Sequence, residues 1–239
     1  MHSKNAENCL VLVGRFLLLA VTVLIVSVTS ISAKDFVRSK GKLSDNDFYR
    51  AVACGAPVGQ KCGHSTYKWP EPMRGNLTVG VMAIEDAFPE DLAAAAAGAL
   101  VQAIEEINGV NAGIRLVQVS KGTPNIKVFF VSGKIRGGGS KAKTVTDFAL
   151  SEGASGMARV YPGRRKGSIA KAEIYISDVI PKSLLRAVVL EELVQSLGLL
   201  TDIHNRYYNK RSVFSEVGSS TNKLRGQDAK ALLLHYPPN

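Results

Sequence analysis

Between Leu184 and Leu197, apolar residues at 184, 185, 187, 188, 189, 190, 193, 194 and 197 cover most of a helix's circumference. A helix that is hydrophobic nearly all round is buried, so the rest of the chain has to wrap it. Pro181 suits the lead-in to such a helix and Gly198 its exit. Yet Glu191, Glu192 and Gln195 sit inside this segment. A carboxylate left uncompensated in an apolar site costs several kcal/mol. Each must be paired, protonated or bound to a cation.

The flanking sequence supplies the elements to do the wrapping. Leu77–Ile84 alternates with period two and reads as a strand. Leu92–Ile107 is an alanine-rich helix closed by Asn108-Gly109. Further strands are expected at Ile114–Val119, Ile126–Val131, Met157–Tyr161 and Ala172–Ser177, and a last helix at Gln227–Leu234. The nearly continuous apolar run of Ile126–Val131 suits a strand covered on both faces. The expected fold class is α+β: a mixed twisted sheet on one side of two long helices, with a short C-terminal helix. Residues 76–239 form the main domain. Residues 34–75 read as an extension with a short helix at Asp47–Val52 and a proline-bounded extended stretch at Tyr67–Pro72.

Residues 1–33 read as an export signal. Lys4 and Arg15 precede an apolar run from Phe16 to Val28, followed by Ser30, Ser32 and Ala33. The run is short of the roughly 20 apolar residues that a bilayer span needs. Cleavage near Ser32 or Ala33 is expected; uncleaved, the segment would anchor the chain to a membrane. Either way the protein is expected to be exported, periplasmic or secreted. Export pairs the two remaining cysteines, Cys54 and Cys62, as a disulfide closing a small Gly/Pro-bearing loop. His64 lies two residues beyond Cys62, but two cysteines and one histidine are too few for a four-coordinate zinc site.

Net charge is +10, and removing residues 1–33 lowers it only to +9. The positive charge therefore belongs to the mature chain, where it serves solubility or favours an anionic envelope component. No specific nucleic-acid partner is expected. Gly133–Thr144 is basic and glycine-rich, but Ser140 rather than Gly precedes Lys141, so it reads as a surface loop and not a phosphate loop.

The segment Glu191-Glu192-Leu193-Val194-Gln195-Ser196-Leu197-Gly198 resembles the active-site helix of the zincin metallopeptidases, whose metzincin pattern is H-E-x-x-H-x-x-G-x-x-H. The three ligand positions fall on Glu191, Gln195 and Thr201, and the catalytic glutamate on Glu192. Residues four apart share a helix face, which is why H-x-x-x-H binds a metal. Ser212-Val213-Phe214 is similar to the turn beneath the zincin metal, with Phe214 in place of methionine. Residues 224–236 look like the closing helix. The chain looks most like a family of exported bacterial zincin-like proteins, a domain of unknown function, that carries E-E-x-x-Q-x-x-G-L. Resemblance implies a zincin-like fold across roughly 76–236, and an edge strand at Glu173, Ile174, Tyr175 and Ile176 that holds an extended peptide.

Three readings of the acidic pair follow. In the first, the pair is a relic: Glu191 and Gln195 hydrogen-bond residues 201–214 in place of a metal, with Arg206 or Arg211 as neutralisers. The protein is then a non-catalytic binder of a peptide or envelope component, and no cofactor is expected. In the second, Glu191, Gln195, Asp202 and His204 hold a divalent metal ion and Glu192 is the general base of a hydrolase. In the third, Glu191 and Glu192 lie at the solvent edge of an amphipathic helix.

Overall fold

The computed structural model describes residues 31–32, 36–133, 155–218 and 220–238. The expected signal over 1–33, apart from Ile31–Ser32, and the basic loop over 133–144, apart from Gly133, lie outside them.

The elements run in the order β1 (Ile31–Ser32), β2 (Phe36–Arg38), α1 (Asp45–Cys54), α2 (Glu71–Arg74), β3 (Leu77–Ile84), α3 (Glu90–Gly109) and β4 (Leu116–Gln118). They continue with β5 (Ile126–Val131), β6 (Gly156–Pro162), β7 (Ile169–Ser177), α4 (Leu185–Gln195), β8 (Asp202–His204), a 3-10 turn (Arg206–Tyr208) and α5 (Gln227–His235). This is an α+β fold. One mixed sheet has the order β1-β6-β7-β5-β3-β4, and β2 pairs with β8 in a small parallel ribbon. The β7, β5, β3 and β4 strands are parallel, whereas β6 runs antiparallel to β7 and β1 antiparallel to β6. Parallel neighbours need crossover connections, and α3 supplies one between β3 and β4.

Local chemistry explains several boundaries. Ser44 caps α1, its hydroxyl accepting the Asp47 N–H at 3.1 Å. Gly55 ends the helix in the left-handed region at φ 65°. In α3 the acidic pair Glu90–Asp91 suits the positive N-terminal end. Its small residues Ala96, Ala99 and Ala103 are buried and let it pack closely on α4. The expected strand over 114–119 shortens to Leu116–Gln118, and the end of the stretch expected to be extended, Glu71–Pro72, instead begins a short helix, α2.

One large cluster makes up most of the core, and Val131, Met157 and Tyr175 form a small second one. Phe48, Ala51 and Val52 of α1 and Trp69 share the large cluster with Ile174 of β7, with Leu193 and Leu197 at the end of α4, and with Leu232 and Tyr236. α1 also packs on α5, where Gln227 donates to the Leu43 carbonyl at 3.0 Å and Lys230 pairs with Asp45 at 2.6 Å. Among the described residues, no helix is long and apolar enough to cross a membrane.

Candidate functional site around the buried acidic helix

The C-terminal end of α4 is held by residues from both ends of the chain. Helix ends leave carbonyls without intrahelical partners. Here the Trp69 indole N–H donates to the Ser196 carbonyl at 3.0 Å, and the Tyr236 hydroxyl donates to the Leu197 carbonyl at 2.6 Å. The same hydroxyl accepts the Trp69 backbone N–H at 3.0 Å. Gly198 then turns the chain at φ +101°, and a Cβ there would lie 1.9 Å from the Tyr67 carbonyl oxygen. Only glycine fits both demands. His235 is fully buried beside it, with Nε2 2.9 Å from the Tyr67 carbonyl oxygen. Burial, with the nearby Lys68 charge, holds its pKa down at about 3, so the ring stays neutral.

The Gly198 turn returns the chain to α4. Gln195 is buried and donates through Nε2 to Asp202 Oδ1 at 3.0 Å. Glu191, one turn earlier, is half-buried, and its carboxyl is pushed well above the usual range by burial and by repulsion from Asp202, Glu192 and Glu216. Burial and Glu216 likewise push Asp202 up to about 8, against the lowering effect of the Gln195 hydrogen bond. The sequence reading brought together Glu191, Gln195 and Asp202. It missed Glu216, whose only signal is its place two residues past Phe214. Backbone pairing brings Glu216 in: the Ile203 N–H donates to the Phe214 carbonyl at 2.7 Å, and the Glu216 N–H donates to the Ile203 carbonyl at 3.2 Å.

Glu192 is buried on another side of α4 and packs on the start of β6. A Cβ added to Gly156 would lie 2.8 Å from Glu192 Oε1 and 2.5 Å from Val188 Cγ1. Its burial contradicts the reading that puts both glutamates at a solvent edge. Neither expected arginine turns toward the acidic residues. Arg206 is exposed, and Arg211 lies over the Tyr207 ring at 4.9 Å. His204 packs its ring 5.4 Å from that of Phe36 on the β2–β8 ribbon. Among the described residues, no group of three or more His, Cys, Asp or Glu could hold a metal ion.

At Thr201 the structure adds a residue that the sequence reading set aside. The Cys54–Cys62 disulfide is formed, with Cα atoms 5.2 Å apart. The Cys54 carbonyl accepts the N–H groups of Gly63 and His64 at 2.9 and 3.2 Å. This loop places His64 Nε2 3.0 Å from Thr201 Oγ1, with Nδ1 2.9 Å from the Ser65 carbonyl oxygen. A carbonyl only accepts, so Nδ1 carries a proton, and in the neutral ring Nε2 accepts the Thr201 hydroxyl. The Thr201 N–H donates to the Val52 carbonyl at 3.1 Å. No spacing rule joins residues 64 and 201, because the contact needs the α1 packing.

The 212–214 turn is anchored from α5. Ser212 Oγ donates to Asp228 Oδ1 at 2.6 Å, and the Val213 N–H donates to Oδ2 at 2.9 Å. Burial nonetheless pushes Asp228 up to about 7. Phe214 is fully buried and meets Phe48 edge-on at 6.0 Å.

One expectation is corrected. Glu173, Ile174, Tyr175 and Ile176 do not lie on an edge: β7 is paired to β5 on one side and to β6 on the other. Its backbone groups are already used, so it has none left for a peptide. Glu173 instead accepts from Tyr161 at 2.7 Å, Tyr175 at 2.9 Å and Lys171 at 2.9 Å. Burial works to raise its carboxyl, but these three bonds hold it below its usual value. The strand outside β7 is β6, whose far side, among the described residues, carries the two-residue β1, with Ile31 opposite Val160 and Ser32 opposite Arg159.

The family model described as "Protein of unknown function (DUF2927)" matches residues 46–239. The chain belongs to the DUF2927 family. The match takes in α1 from Asn46 onward, the disulfide loop, the whole of α4 and the C-terminal helix. No curated protein matches the sequence. Among solved structures the chain is similar to that of myroilysin, with 16% identity over 72% of this chain and 96% of that one, and a TM-score of 0.38. So loose an overlay assigns no residue a role.

Proposed function

We propose that this DUF2927 protein is an exported, zincin-like binding protein that takes up an extended peptide along the outer side of β6 and does no hydrolysis. The observation that carries the reading is the pairing of β6. It is a seven-residue strand whose outer side, among the described residues, is matched over two residues, by the chain's own Ile31–Ser32 running antiparallel. A strand with unpaired backbone groups is a template for another extended chain. β6 also starts against Glu192 and Val188 of α4, so an incoming peptide would lie beside the acidic helix.

Support for a non-catalytic role comes from how the helix groups are used. Gln195 turns its amide N–H toward Asp202, so the two side chains are joined to each other by a hydrogen bond. Thr201 is engaged with His64 and Val52. The disulfide suits an oxidising compartment.

The test is a titration of isotope-labelled protein with extended peptides, using the full chain and a form beginning at residue 34. Amide resonances of 156–162 should move, and more readily in the shorter form, while those of 172–176 move little. Movement confined to other surfaces, or none in either form, defeats the reading.

A further inference from the structure

A concavity lies between the turn of the β6–β7 hairpin and the segment leading into β3. Its volume is about 440 Å³. Cations dominate its lining: Lys68 and Arg74 on one wall, Arg164, Arg165 and Lys166 on the other, with Glu71 as the one acidic lining residue. None of the five enters an ion pair among the described residues.

The cleft is built rather than incidental. The Lys68 N–H donates to the Gly167 carbonyl at 2.8 Å, and the Ile169 N–H donates to the Lys68 carbonyl at 2.9 Å. Within the turn, Gly163 N–H donates to the Ser168 carbonyl at 2.8 Å and Ser168 Oγ to the Arg165 carbonyl at 2.6 Å. Gly167 is left-handed at φ +73°, and a Cβ there would lie 2.8 Å from the Thr66 carbonyl oxygen, so the two walls approach closely. Arg74 is fixed by its Nε–H to the Trp69 carbonyl at 2.8 Å and by stacking over the Tyr236 ring at 5.2 Å. Lys68 is half-buried, and burial together with the Arg74 charge lowers its pKa.

Five cations line one cleft, the Arg74 charge already acts on Lys68, and an anion between the walls offsets such repulsion. Arginine forks suit phosphate oxygens in pairs. The volume lies within the range of small-ligand pockets, roughly 300–1,000 Å³, which favours a compact ligand over a nucleic-acid duplex.

We propose that this cleft binds a compact phosphate-bearing anion of two or more charges, held by Lys68 and Arg74 on one wall and Arg164, Arg165 and Lys166 on the other. Such a group can be a free oligophosphate or a phosphorylated lipid headgroup. The proposal does not depend on the peptide reading at β6.

The test uses the full chain and two probes, sodium pyrophosphate by calorimetry and vesicles of neutral lipid carrying anionic phospholipid by co-sedimentation. Trp69 lines the cleft and is the chain's single tryptophan, so its emission reports occupancy independently. The expected result is saturable one-site binding of one probe. It should weaken about fivefold or more in Lys68→Ala and in Arg165→Ala, as loss of a charge-assisted hydrogen bond implies. Pyrophosphate binding would identify a free phosphate; vesicle binding alone would identify a headgroup. Arg225→Ala removes the same charge from an exposed site elsewhere and should change nothing. Equal weakening by Arg225→Ala overturns the proposal, as does no saturable binding of either probe.

Discussion

Holding Glu191 and Asp202 close together makes the fold depend on protons, and that dependence can be measured. Asp202 has an ordinary value of 3.8 and is pushed up to about 8, while Glu191 is displaced in the same direction. Between those two values the folded state holds a proton that the unfolded state has released. Stability from this group is therefore fully present at low pH and is lost as pH rises through about 8. From pH 6.5 to 8, one such proton amounts to about 1.5 kcal/mol, an upper figure because both residues keep some solvent contact. That corresponds to a fall in Tm of roughly 3–6 °C for a domain of this size. His235, lowered to about 3, exerts its effect below pH 6.5 and does not enter this window. Asp228, raised to about 7, does enter it, so the useful quantity is a difference between proteins. In Asp202→Asn the amide oxygen still accepts from Gln195 but no longer titrates. Thermal unfolding with chelator present should show the wild-type Tm falling more steeply than the variant's over this window. Parallel curves for the two proteins would refute the argument that the pair is held by protons.

Gly198→Ala places a Cβ 1.9 Å from the Tyr67 carbonyl at a left-handed φ, and should destabilise by more than about 4 kcal/mol, read as loss of soluble folded protein or a collapsed Tm. Tyr236→Phe strands two buried backbone groups, the Leu197 carbonyl and the Trp69 N–H, and should cost about 2–5 kcal/mol in denaturant unfolding with no change in slope. Replacing both Cys54 and Cys62 with Ala should cost about 2–3 kcal/mol, and the chemical shift of the His64 ring should move as its contact with Thr201 loosens. Glu192→Gln should leave binding of extended peptides intact, and elemental analysis of the wild type should find no stoichiometric transition metal; a bound metal together with hydrolysis lost in this variant would restore the hydrolase reading.

Much of the fold was legible because its signals are short in range. Periodicity located β3, β5, β6, β7 and all three longer helices to within a few residues, since side-chain alternation and helical stripes are properties of consecutive positions. α4 was legible as a buried helix for the same reason, and the i, i+4 spacing put Glu191 and Gln195 on one face. The position of β7 was not legible. Its residues read the same whether one neighbour or two is paired, and only the sheet order decides which strand is outermost.

The chain's own pattern thus determined an α+β domain with carboxylates on a sequestered helix, and a disulfide in the loop ahead of it. Tertiary structure decided what surrounds those carboxylates. His64 reaches Thr201 across 137 positions, and Trp69 reaches Ser196 across 127. Contacts between residues so far apart leave no trace in local spacing. They form only when α1, the disulfide loop and α5 close on the end of α4 and order groups that the sequence merely contains.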